Sequence, residues 1–113
     1  MRVLSLLPIV ELRRRRGALP SVVAQARRGG ARQGRRSAED RSRLRRLITA
    51  IDSRVPGGAN CVRRALLEMS LDGGATDERL LVGFKTGGGP KSGHAWLESE
   101  GGNGVRYDAV IPL

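Results

Sequence analysis

Three side chains in the second half of the chain have the types that nucleophilic catalysis needs: Cys61, His94 and Asp108. A thiolate attacks a carbonyl carbon, an imidazole takes the thiol proton and passes it to the leaving group, and a carboxylate holds the ring in the useful tautomer. Cys61 is the only cysteine and His94 the only histidine. Each alone has a plainer reading, since a lone cysteine is commonly a small buried hydrophobe. Their settings point toward catalysis. Cys61 follows Asn60, a good N-cap, and so falls in the first turn of a helix, where free amides and the dipole favour a thiolate. His94 stands near the start of a strand beyond a Gly-rich loop, Thr86 to Gly93, and Asp108 stands on the strand after it.

The elements that must bring these groups together are readable from periodicity. Leu4, Leu6, Leu7, Val10 and Leu12 suggest a short helix that carries Arg13 to Arg16 into solvent. Gly17 and Pro20 break it, and Ser21 to Arg28 can resume as a second short helix. Residues 29–36 hold three Gly and three Arg with no large apolar side chain, the composition of a flexible linker. Ser37-Ala-Glu-Asp40 starts a helix in which Leu44, Leu47, Ile48 and Ile51 share one face and Arg41, Arg43, Arg45, Arg46 and Arg54 give a cationic outer side. After Asn60, Val62, Ala65, Leu66 and Met69 repeat the spacing, and Asp72-Gly-Gly ends the helix.

The period then changes to two. Leu80, Val82 and Phe84 alternate in one strand, His94, Trp96 and Glu98 in a second, and Val105 to Val110 makes a third, with Glu100 to Gly104 as a hairpin turn. The expected fold class is α+β: N-terminal helices, then a three-stranded antiparallel meander. Pairing of the second and third strands would set Asp108 opposite His94, or opposite Trp96 and diagonal to His94.

Charge divides the chain. Residues 1–60 carry 15 Arg against 4 acidic residues, and residues 61–113 carry 6 basic against 7 acidic residues. The division suggests a basic helical arm and linker over 1–36 and a catalytic domain over 37–113. The hydrophobic fraction of 39% makes the expected core modest. One cysteine rules out an internal disulfide or a cysteine zinc cluster, and nothing calls for an oxidising compartment. The apolar run Met1 to Val10 is too short to span a bilayer and lacks a cleavage pattern, so a cytoplasmic protein is expected.

Cys61-Val-Arg-Arg-Ala-Leu-Leu67, the segment ending Leu80-Leu-Val-Gly-Phe-Lys85, His94-Ala-Trp-Leu-Glu98 and Tyr107-Asp108 resemble the lasso-peptide leader peptidases of the transglutaminase-like superfamily. The likeness runs from about Pro56 onward, with Ala65 standing where that family often has Ser. It implies a papain- or transglutaminase-like minimal core and a Cys61–His94–Asp108 triad. The implied reaction is leader removal from a ribosomally made precursor peptide through an acyl-enzyme, with no metal or cofactor. The implied partners are the precursor's leader, a small leader-recognition protein and an ATP-dependent lasso cyclase. Two other readings compete. The residues around the triad equally suit another acyl-transfer enzyme of this fold, a transglutaminase or amidase. The Arg-rich half suits a nucleic-acid-binding module, but it contains no recognised binding motif and no aromatic side chain for stacking. A solvated face, or a surface for an acidic partner or membrane headgroups, fits the basic arm better.

Overall fold

The computed structural model describes residues 2–56, 58–84, 93–100 and 107–113. Four helices, α1 (Arg2–Arg16), α2 (Leu19–Ala31), α3 (Ala38–Asp52) and α4 (Cys61–Leu71), precede a sheet of β1 (Leu80–Phe84), β2 (Gly93–Leu97) and β3 (Ala109–Pro112). The class is α+β, as the periodicity implies. No described helix is long and apolar enough to cross a membrane.

Helix α4 is the centre of the packing. Ala65, Leu66, Leu67, Met69 and Leu71 are all buried, so the helix has almost no solvent face. α3 lays Leu44 and Ile48 against it, with the Ser37 side chain accepting from the Asp40 N–H as cap. α2 supplies Val22, Val23 and Ala26, and α1 supplies Val3 and Val10. Leu4 and Leu12 of α1 instead point outward. From the sheet, Leu80, Ala95 and Leu97 close the core.

The stretch expected to be a flexible linker is partly helix, because α2 runs through Gly29 and Gly30 to Ala31. Gly30 is buried, and a Cβ there would stand 1.9 Å from the Met69 carbonyl oxygen. The glycine is there for close approach of α2 to α4, a packing reason that composition reads as looseness.

The cationic outer side of α3 also needs correction. Arg41 and Arg45 turn toward α4, where the Glu68 carboxylate accepts from both, at 2.8 and 2.7 Å. Arg41 reaches the fully buried Asp72 as well, at 3.1 Å, and pairs with Glu78. Arg43, Arg46 and Arg54 remain exposed.

The sheet order is β2-β1-β3, all antiparallel. Leu80 pairs with Leu97, and Gly83 lies between His94 on one side and Val110 on the other. β3 therefore pairs with β1, and the expected hairpin between the second and third strands is not formed. Residues 101–106, which hold most of that proposed turn and the expected start of the third strand, lie outside the described residues.

Candidate active site

Asn60 adopts an extended backbone and its side-chain oxygen accepts from the Arg63 N–H at 3.0 Å, which starts α4 at Cys61. The thiol thus sits at the positive end of an eleven-residue helix. It is half-buried, and its Sγ accepts a hydrogen bond from the Ala95 N–H at 3.3 Å.

The sheet explains why that amide is available. Leu80 exchanges both of its backbone hydrogen bonds with Leu113, so even-numbered residues of β1 bond toward β3. Ala95 lies opposite Val82, so its N–H points off the free edge of β2. The nucleophile occupies that edge, beside the peptide bond joining His94 to Ala95.

Alternation sends the His94 and Trp96 side chains to the face opposite Ala95 and Leu97. There His94 stacks on Trp96 with ring centroids 5.5 Å apart, and Tyr107 stacks on Trp96 at 5.5 Å and on His94 at 6.5 Å. Tyr107 fits because residue 83 has no side chain: a Cβ at Gly83 would lie 2.6 Å from the Tyr107 ring. Trp96 is only 7% exposed, so it belongs to this stack and does not line an open groove. Burial lowers the pKa of His94, Arg64 adds to the lowering, and Glu100 opposes it.

The structure brings Cys61 to the His94–Ala95 peptide, while the bond made by the sulphur is to backbone and not to the imidazole. Catalytic hydrogen bonds are often loose before substrate binds. Asp108 is exposed and directly precedes β3, its N–H donating to the Phe84 carbonyl at 2.9 Å. Neither expected register holds for it, because β1 runs between β2 and β3 and separates their axes by roughly 9–10 Å. Trp96 and Tyr107 are the rings that meet His94.

The sequence names Tyr107 only as part of a matching segment and gives no sign of its stacking role, of the Ala95 amide, or of a buried pair beneath the Cys61 turn, Asp52 and Arg63. Asp52 was findable: it continues the every-fourth-residue stripe Leu44, Ile48, Asp52, so a carboxylate stands where the core face requires a partner. Among the described residues no group of three or more His, Cys, Asp or Glu could hold a metal ion.

Comparison with curated proteins and with solved structures returns no match. A family model described as the transglutaminase-like superfamily matches residues 3–110, taking in all four helices and the sheet as far as Val110. A helix-start cysteine set against a strand that carries histidine accords with the cysteine-based chemistry of that superfamily, and the chain belongs to it.

Proposed function

We propose that this protein is a cysteine peptidase that removes the leader from a ribosomally made precursor, as in lasso-peptide maturation. The observation that carries the reading is the single thiol at the start of α4, held against the His94–Ala95 peptide. Membership of the superfamily supports cysteine-based acyl transfer, and the Cys61, His94 and Tyr107-Asp108 segments support the finer assignment.

In the proposed reaction His94 takes the Cys61 proton and Sγ attacks the scissile carbonyl carbon. The Cys61 N–H, one of the free amides of the first turn, meets the developing oxyanion. The C–N bond breaks as His94 returns the proton to the leaving amine. Water, deprotonated by His94, then cleaves the thioester and regenerates the thiol. Asp108 is assigned the carboxylate role toward His94. The leader arrives with a small recognition protein, and the released core passes to an ATP-dependent cyclase. The exposed arginines of the first half draw in the acidic side chains of these partners. The proposed setting is the cytoplasm.

Cys61→Ala tests the reading, since it removes the one thiol and little volume. Mass spectrometry of the precursor should show no cleavage by the folded variant, and retained cleavage would sink the proposal. With the parent enzyme, a free carboxylate on the leader fragment marks hydrolysis, whereas an amide formed with an added amine marks acyl transfer.

A further inference from the structure

The turn between α3 and α4 is tied to two charged side chains that the proposed reaction does not use. Asp52, the last residue of α3, is 0% exposed, and Arg63 is 3% exposed. Arg63 Nε donates to Asp52 Oδ1 at 2.5 Å, and one terminal nitrogen donates to the Gly58 carbonyl at 2.9 Å. The other terminal nitrogen donates to Glu11 of α1 at 3.1 Å. The second Asp52 oxygen accepts from the Asn60 N–H at 2.9 Å. Asn60 in turn caps Arg63, so the residue immediately before the nucleophile is held by its own amide and by its side chain.

We infer that Arg63 and Asp52 are positioning residues for Cys61, and that α1 takes part in the same device through Glu11. The inference rests on reading Cys61 as the nucleophile. Its physical content is the link from both charges to the backbone at Gly58 and Asn60. A pair that served only to fill the interior would need no such link, because a buried ion pair can be replaced by apolar side chains of similar volume at little or no cost in stability. The guanidinium is bound on three sides, which fixes its plane and with it the loop carbonyl and carboxylate that it holds. Glu11 is itself held ionised, with Arg14 as the chief cause and Arg15 and Arg63 adding to it, so α1 presents a permanent anion to Arg63. A displacement of Cys61 by even about 1 Å is enough to cost on the order of a hundredfold in rate.

The test separates positioning from stability. The double variant Asp52→Leu/Arg63→Met removes both charges of the pair; Arg64, 3.7 Å from Asp52, loses that partner too but is 31% exposed and keeps access to water. Its thermal midpoint should stay near that of the parent, while kcat for precursor cleavage falls roughly tenfold or more with KM little changed. Iodoacetamide labelling of Cys61, which needs no peptide substrate, should slow in the same variant. A folded double variant with parental kcat and labelling rate would overturn the inference. Should that variant not fold, Glu11→Ala decides, because it keeps the buried pair and frees one end of Arg63. A several-fold lower kcat supports the device, and parental kcat rejects it. Failure of the nucleophile reading looks different: Cys61→Ala would still cleave, whereas the labelling rates would continue to report on how the thiol is held.

Discussion

Burial and the Arg64 guanidinium both lower the pKa of His94, and Glu100 only partly offsets them. An imidazole acting as base must be neutral, so the shift extends its working range downward. The acid limb of kcat/KM for precursor cleavage should therefore lie below the ordinary histidine value of 6.5. Arg64→Gln, which removes a lowering influence, should move the limb upward; a parental limb above the ordinary value would contradict the assignment of His94 as base. The linkage to folding has the same origin. A histidine with a depressed folded-state pKa contributes stability that is present above its unfolded value and is lost as pH falls through the folded one. At this scale the sequence was informative where a residue type is itself rare. Cys61 and His94 stand alone in the composition, and the fold sets the thiol against the backbone amide that follows His94. The groups around them could not be read in the same way. The Ala95 amide has no side chain to announce it, and Arg63 is one of nineteen arginines until burial singles it out.

The helices were legible because their signals are local. Ser37 and Asn60 cap α3 and α4 as their residue types suggest, and the apolar spacing names the buried faces. The sheet order was not, because the partner of β3 is chosen by a contact between distant residues. Tyr107 needs the bare backbone of Gly83, and that fit sets the strand beside β1. The outer side of α3 shows the same limit, since arginines at successive positions read alike although only some meet buried carboxylates. The difference predicts two unlike variants. Arg41→Gln strands Glu68 and Asp72, 3% and 0% exposed, without a full guanidinium partner. Removing one member of a buried pair costs about 3–5 kcal/mol, less here to the extent that Arg45 still serves Glu68. Arg46→Gln, exposed on the same helix, should change stability by no more than about 0.5 kcal/mol. Denaturant midpoints measured side by side should show the contrast, and equal midpoints would mean that the Arg41 network contributes nothing net.

Behind the formal charge of +10 stand two contrasting sets of arginines, beside others such as Arg27 and Arg36 that donate to backbone carbonyls. Arg14, Arg15, Arg35, Arg41, Arg43, Arg45, Arg63 and Arg64 meet carboxylates, and among them Arg41, Arg45 and Arg63 tie one helix to another. Arg13, Arg16, Arg28, Arg32, Arg46 and Arg54 are exposed and meet no carboxylate among the described residues. This second population is what a distant partner can feel. Two of its members, Arg13 and Arg32, join Gln25, Ser70 and the apolar Leu6 and Ile9 in lining a groove of about 530 Å³ beside α1, α2 and α4. None of these side chains touches Cys61 or His94, so their charge bears on arrival of the precursor and not on bond breaking. Arg13→Gln/Arg32→Gln should then raise KM for an acidic precursor at low ionic strength and leave kcat unchanged. The two KM curves should converge as salt rises, because the screening length falls from about 10 Å at 0.1 M to about 3 Å at 1 M. A nucleic-acid role for the same arginines forecasts otherwise: retention on duplex DNA would drop in the variant while cleavage kept its parental KM at every salt concentration. Titrating cleavage and DNA retention against salt, parent beside variant, distinguishes the two. Parental KM at low salt would reject the docking role for this half of the charge.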